Sequence, residues 1–340
     1  MTKVRHILGI SGGKDSAALA IYMNQRYPEL DMEYFFTDTG EELPEVYEFI
    51  SRLEGYLGKE VNRINSDKEF SYWMKKYNNY LPSAQQRWCT RNMKIIPLEQ
   101  WIRDDLKSGT TINSYVAIRY DEPYREGHQS KHDNFKVILP FQKDRIDRKS
   151  VYEILESSGV GVPKYYEWRS RSGCTFCFFQ RKIEWVRLKE RHPEAFERAK
   201  NLEKNALDHG SPFTWSERES LQELEKPERV EQIRNDYEKR KAQALKRRKV
   251  NPLDPEEYID DDELFGGVNT AALKSSKAEV YDDALSLSVS SSSATEKDRL
   301  HVCKIARATQ APTRSLENGD NHKREYGKKT RTSKECKGWS

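Results

Sequence analysis

The chain has 340 residues, of which 36% are hydrophobic and 34% charged, with a net charge of +4. That length accommodates about two domains of ~150 residues, and no apolar run approaches the ~20 residues of a membrane span. The five cysteines, Cys89, Cys174, Cys177, Cys303 and Cys336, argue against a disulfide framework and for metal binding, redox chemistry or plain buried thiols. Asp15 and its neighbouring glycines interrupt the first apolar run, so no secretory signal is expected, and a cytoplasmic location is the default.

In chain order, Val4–Ile10 reads as a short buried strand that enters a glycine turn and then a helix with periodic Ala17, Leu19, Ala20 and Met23. Met32–Thr37 is the next strand, Leu43–Leu57 a helix with Pro44 in its first turn, and Val61–Ile64 a third strand. Strand–helix–strand order at this spacing predicts an α/β fold, a parallel sheet with helices on both faces. Residues 65–110 read as mainly helical, with Pro97–Ile102 inside one helix. Tyr115–Arg119 reads as a strand and Val137–Leu139 as an extended piece ending at Pro140. A helix is expected over Ser150–Ser158, closed by Gly159, and another from Ile183 to about Asn205. Past 210 the chain turns to Glu, Lys and Arg, with sparse apolar positions at Leu221, Leu224, Val230, Ile233, Tyr237 and Leu245, which predicts one or two exposed helices broken near Pro227. Beyond Pro255 come an acidic patch, the low-complexity run Ser286–Ser293 and a polar, basic end. That composition offers too little apolar burial to offset ordering entropy and predicts disorder. The expected organisation is therefore a domain over 1–205, a charged helical extension over 206–252 and a disordered tail over 253–340.

Ser11-Gly12-Gly13-Lys14-Asp15-Ser16 lies where the first strand turns into the first helix. A helix start aims unsatisfied N–H groups at one point and suits an anion. Gly12 and Gly13 admit phosphates to the backbone, Lys14 adds charge, and Ser11 and Ser16 add hydroxyls. A Walker A loop is excluded twice over, because Leu8 stands at its first glycine and Asp15 follows the lysine. The Gly-x-Gly-x-x-Gly dinucleotide pattern is absent as well. An Asp inside a phosphate loop repels the phosphate unless a cation intervenes, a role that Mg²⁺ bound with pyrophosphate fills.

This loop resembles the pyrophosphate loop of the PP-loop ATP pyrophosphatases, and within that superfamily the chain resembles the phosphoadenosine phosphosulfate reductase family. Asp38-Thr39-Gly40 matches that family's Asp-Thr-Gly element, and Ile118-Arg119 with Asp121, Glu122 and Arg125 matches its Gly-Ile-Arg-x-x-Glu-x-x-Arg stretch, with Ala117 in place of the glycine. The resemblance covers about residues 4–200. It implies an adenine nucleotide alpha hydrolase-like fold, ATP bound through Ser11–Ser16, an adenosine near Asp38, and anion contacts from Arg119 and Arg125. Read from the residues alone, these two arginines also suit salt bridges to Asp121 or Glu122.

Cys174-Thr175-Phe176-Cys177 is a two-spaced pair, and Trp88-Cys89 through Pro97-Leu98 resembles the cluster segment of assimilatory sulfate-reducing enzymes, with Trp88 in place of the first of two adjacent cysteines. Cys89, Cys174 and Cys177 would hold a [4Fe–4S] cluster with one open iron, as tRNA-thiolating PP-loop enzymes do. A Cys₃His zinc site using His128 or His132, or ordinary core cysteines, are the alternatives, and Cys303 is a further candidate ligand. The reductases end in Glu-Cys-Gly-Leu/Ile-His, whereas Lys334-Glu335-Cys336-Lys337-Gly338 lacks the glycine next to the cysteine and the histidine. The match to a sulfonucleotide reductase is therefore incomplete. Gly173-Cys174-x-x-Cys177-Phe178-Phe179-Gln180-Arg181-Lys182 resembles the DNA phosphorothioation proteins of the DndC type.

Arg240–Lys249 carries Arg240, Lys241, Lys246, Arg247, Arg248 and Lys249 and no acidic residue. On a helix this is either a solvated face or a cationic track for a phosphate backbone. Together the residues and the resemblance imply an enzyme that cleaves Mg·ATP to adenylate an acceptor oxygen, with Lys14 and Asp15 at the reacting phosphates. The acceptor of choice is a DNA backbone phosphate, with sulfur replacing the oxygen, supplied by a donor such as a cysteine desulfurase. A sulfonucleotide reductase and a tRNA-thiolating enzyme are the alternatives, and no membrane partner is expected.

Overall fold

The computed structural model describes residues 3–125 and 132–247. Strands β1 (Val4–Gly9), β2 (Met32–Asp38), β3 (Val61–Asn65), β4 (Thr111–Tyr115) and β5 (Phe135–Ile138) form one sheet in the order β3-β2-β1-β4-β5, parallel throughout. Alternation along the strands sends side chains to two faces. Leu8, Tyr34, Phe36 and Tyr115 join the larger core, with α1 (Lys14–Arg26), α2 (Pro44–Leu57) and, later in the chain, Arg148–Ser157. Ile7, Phe35, Ile64 and Ile112 join a smaller core around Leu98, Trp101 and Ile102 on the opposite face. Helices thus cover both faces, as the strand–helix order predicts.

Between β3 and β4 lie α3 (Phe70–Lys76), α4 (Trp88–Thr90), a π-helical turn (Arg91–Ile95) and α5 (Ile96–Lys107), the last three running on from Trp88 without a break. After β5 come α6 (Pro140–Lys143) and α7 (Arg148–Ser157), the latter capped by Asp147, whose side chain accepts from Ser150 N. Two sequence expectations are corrected. The strand expected over Tyr115–Arg119 is β4 at Thr111–Tyr115, and residues 116–119 turn away from the sheet, where Ile118 N donates to Val116 O. The single helix expected from Ile183 is two, α8 (Lys182–Arg191) and α9 (Pro193–Asp208), because Pro193 cannot continue a helix yet fits the first position of the next.

Beyond α9 the chain folds back onto it. Buried Glu203 accepts from the backbone N–H groups of Trp215 at 2.8 Å and Leu221 at 2.6 Å. Leu221 and Leu224 of α10 (Leu221–Leu224) and Ile233 of α11 (Pro227–Arg247) belong to the larger core. The disorder expected over 253–340, together with Cys303, Cys336, His128, Arg248 and Lys249, lies outside the described residues.

Only β1 has its chain neighbour β2 on one side and the later β4 on the other. Such a switch in strand order opens a crevice beyond the carboxyl ends of the strands. The turn after β1 and the segment after β4 meet there.

Candidate active site

Gly12 takes a φ of +72°, and a Cβ there would lie 2.6 Å from Val46 Cγ1, so the turn needs glycine twice over. A Cβ on Gly13 would lie 2.9 Å from Ser172 Oγ. Gly13 caps α1 with no side-chain cap, which leaves the helix start open to an outside acceptor. Its N–H groups rest on hydroxyls that a phosphate could displace. Gly13 N donates to Ser11 Oγ at 3.3 Å, Lys14 N to Tyr166 OH at 3.3 Å, and Ser11 N to Ser16 Oγ at 3.0 Å. Tyr165 OH donates to Gly12 O at 2.7 Å and pins the turn from the far side.

The charges inside the loop are paired within the protein. Lys14 Nζ lies 3.1 Å from Asp15 Oδ2, and Arg119 Nη1 lies 3.0 Å from Asp15 Oδ1. Burial works against the Asp15 carboxylate, but Lys14 and Arg119 outweigh it and hold its pKa below the ordinary range. Burial also works against the Lys14 ammonium, and the neighbouring Tyr166 and Asp15 outweigh it and raise its pKa. Lys14 and Arg119 thus counter the Asp15 charge from within the protein. Arg119 is 8% exposed and also binds Asp121 Oδ1 at 2.9 Å, while Arg125 holds both oxygens of Glu122 at 2.9 Å. The carboxylate pairings suited to these arginines are therefore present, and Arg119 reaches the loop itself.

Asp38 ends β2 and accepts from Gly40 N at 2.8 Å and Tyr47 OH at 2.9 Å. The next residues grip the cysteine segment. Glu42 forms a β-bridge with Cys174, Thr175 N and Oγ1 both donate to Glu41 O, and Thr39 Oγ1 lies 3.3 Å from Cys174 Sγ. Ser172 Oγ in turn lies 3.5 Å from Ser11 Oγ, joining this segment to the phosphate loop.

Cys177 is electrostatically linked to Cys89 and to Cys174. Burial pushes the Cys89 thiol up to about 11, and the charge of Cys177 adds to it. Burial and then Glu42 raise Cys174, with Cys177 contributing as well. Lys94, 3.8 Å from Glu42 Oε1, has its pKa held up against burial by Cys174, Glu42, Cys177 and Cys89. The π-helical turn explains how Cys89 and Lys94 serve one site. Bonds from i to i+5 bring residues five apart towards one face, whereas about 3.6 residues per turn would splay them.

Among the described residues, no three His, Cys, Asp or Glu side chains are arranged to share one metal ion. In a [4Fe–4S] cluster each thiolate takes its own iron, so the ligands surround a space rather than a point. Cys177, linked to each of the other two thiols, and Lys94, influenced by all three, are consistent with that requirement. Glu42, Lys94, Tyr165, Tyr166 and Ser172 were not singled out from sequence, although Lys94 lies within the Trp88–Leu98 segment that resembles a cluster segment.

Residues 5–126 match the phosphoadenosine phosphosulfate reductase domain. An uncharacterised protein of Methanocaldococcus jannaschii is 23% identical over 219 residues, 60% of this chain and 43% of that protein. An uncharacterised nin region protein of Escherichia phage lambda is 28% identical over 147 residues, 35% of this chain and 50% of that one. The chain thus spans about half the length of the curated relatives it matches. The phosphoadenylyl-sulfate reductase of Candida auris, a phosphate complex, aligns with a TM-score of 0.38 at 12% identity over 51% of this chain and 82% of that one.

Proposed function

From a phosphoadenosine phosphosulfate reductase domain over residues 5–126, we propose that the chain is a PP-loop ATP pyrophosphatase that adenylates an acceptor oxygen and passes sulfur to the activated atom. The observation that carries this reading is the junction of the two half-sites. Ser172 touches Ser11 of the phosphate loop, and two residues later Cys174 opens the thiol group.

The open start of α1 and Lys14 hold the β- and γ-phosphates, their N–H groups exchanging the Ser11 and Tyr166 hydroxyls for phosphate oxygens. Mg²⁺ arriving with ATP adds charge at the same phosphates. The acceptor oxygen attacks the α-phosphorus and forms a P–O bond. The bond from that phosphorus to the bridging oxygen breaks, and pyrophosphate leaves with the electron pair, its growing charge met by the loop and Lys14. A sulfur nucleophile then displaces AMP from the activated atom. Cys89, Cys174 and Cys177 would hold the cluster, which supplies a site for that sulfur, with Lys94 balancing the thiolate charge. The acceptor is nucleic acid, with a DNA backbone phosphate preferred; a cysteine desulfurase-type donor supplies persulfide sulfur, and a thiol reductant gives the two electrons that cleave its S–S bond.

The test is pyrophosphate release from Mg·ATP by anaerobically purified protein, with and without DNA, alongside iron and zinc analysis. ATP turnover that yields AMP and pyrophosphate, stimulated by DNA, supports the reading. ATP binding without pyrophosphate release would make the chain a nucleotide sensor. The domain match also favours a second reading, a sulfonucleotide reductase, which thioredoxin-dependent sulfite release would establish.

A further inference from the structure

Two guanidinium groups share one aromatic ring beside the thiols. Arg87 Cζ lies 5.5 Å, and Arg171 Cζ 5.4 Å, from the centre of the Phe179 ring. Phe178 packs on Phe179 with ring centres 4.4 Å apart. Neither arginine has an ion pair among the described residues. Arg87 reaches only Thr90 Oγ1, at 3.4 Å, and its Nε is buried with no acceptor. Arg171 is exposed. Two like charges held at one ring repel each other, and the ring's negative face offsets that only in part. A buried guanidinium N–H without an acceptor is a further deficit. An anion beside this ring would supply a counter-charge to both groups.

The position of this pair gives it meaning. Arg87 precedes Trp88-Cys89, Arg171 precedes the Ser172 that touches the phosphate loop, and Phe179 follows Cys177 by two residues. Phe178 and Phe179 also line a groove of about 1250 Å³ that reaches Phe213, Tyr237 and Arg240. Of the carboxylates lining that groove, Glu219 is engaged by Lys182 at 2.6 Å and Arg229 at 2.5 Å, Glu217 by Arg218 at 3.6 Å and Glu223 by Ser220, while Asp236 also lines it. They do not neutralise Arg87 or Arg171.

We propose that Arg87, Arg171 and the Phe178–Phe179 pair seat one nucleotide of an unpaired nucleic-acid strand at the reaction centre. Its phosphodiester lies between the guanidinium groups, which match a phosphate bidentately. Its base lies against the phenyl rings, which only an unstacked base can reach. The strand then follows the groove towards Arg240. This rests on the reading of the acceptor as nucleic acid and adds the form in which it enters.

The experiment titrates a fluorescent single-stranded DNA with the full chain, followed by anisotropy across a range of salt. Arg87→Gln, Arg171→Gln and Phe178→Leu/Phe179→Leu are compared, each checked for folding by thermal melting. Since Arg171 is exposed, its variant folds even where Arg87→Gln does not. The expected result is a roughly tenfold weaker affinity for each arginine variant, a log–log salt slope flatter by about 0.7 for the one phosphate left without its partner, and weaker binding of the matching duplex. Salt-dependent binding by the intact protein that all variants retain in full would overturn the seat and leave the nucleic-acid reading standing. If the intact protein binds no DNA, the seat and the nucleic-acid reading both fail. Calorimetric binding of inorganic phosphate or of a 3′-phosphorylated sulfonucleotide that Arg171→Gln abolishes would then assign the arginines to a small anion.

Discussion

At the scale of single residues, Lys14 and Asp15 have separable effects that follow from their pairing. Replacing Lys14 with Ala removes the ammonium facing the phosphates and leaves Asp15 paired with Arg119. Pyrophosphate release should fall by about 100-fold or more, with little change in the melting temperature. Asp15→Ala should also abolish release, but it strands Lys14 and Arg119 as unpaired cations in a largely buried setting. A loss of about 3 kcal/mol in denaturant unfolding is expected. The folded pKa of Asp15 lies below its ordinary 3.8. Its contribution is therefore complete above that value and disappears as pH falls through the lower folded value, so the penalty of Asp15→Ala should shrink only in that acid range. Normal release by both variants would remove the loop from the chemistry. Gly12→Ala must place a Cβ against Val46 at a φ of +72°. It should lower stability by about 1–3 kcal/mol and weaken ATP binding, measured by calorimetry. Simultaneous Val46→Ala would restore only the steric part.

At the scale of elements, the thiol site depends on three segments that meet: the loop after β2, the π-helical turn before α5, and the Cys174–Cys177 turn. Serine at Cys89, Cys174 or Cys177 should each remove bound iron from anaerobically purified protein, whereas Cys336→Ser should not. Full iron in the Cys89 variant would dissolve the shared site. The helical run from Trp88 carries Cys89 and Lys94 five residues apart. Deleting Asn92 to convert the wide turn to an α-turn should rotate them apart and lose iron without removing any ligand. The α9–α11 region hangs on one carboxylate. Glu203→Ala leaves the buried N–H groups of Trp215 and Leu221 without acceptors, a cost of about 2–3 kcal/mol, visible as a lowered unfolding midpoint.

For the molecule as a whole, the sheet's switch point collects the phosphate loop and Arg119, and the cysteine segment closes over it. Farther out, α11 packs on α8 through Arg187, whose guanidinium lies 4.7 Å from the Tyr237 ring centre. Arg240 on α11 lines the groove that starts at Phe178 and Phe179. If the Arg240–Lys249 face extends the path of a nucleic-acid strand, reversing Lys246, Arg247 and Arg248 to Glu should weaken DNA binding across sequences. It should also flatten the salt slope by about 0.7–0.9 for each phosphate that is no longer neutralised. Salt-independent binding would redirect the function towards a small sulfur substrate.

Contiguity separates what the sequence alone determined from what the tertiary structure decided. Ser11–Ser16 are consecutive, and a glycine turn between a buried strand and a helix is a local preference of those residues, so the phosphate loop was legible from the letters. The strand–helix–strand order of β1–β3 was legible for the same reason, since short apolar runs broken by turn and helix signals are local features of the sequence. Strand ends were less so: β4 stops at Tyr115, and beyond it Arg119 reaches back to Asp15 across 104 positions. Tyr166 meets Lys14 across 152 positions and Cys174 meets Thr39 across 135. Such contacts follow from strand order and helix packing rather than from any local preference. The sequence therefore singled out the phosphate-loop residues and the three cysteines as candidates. Only the fold decided that Arg119 joins Lys14 at Asp15, and that the cysteine segment reaches the phosphate loop through Ser172.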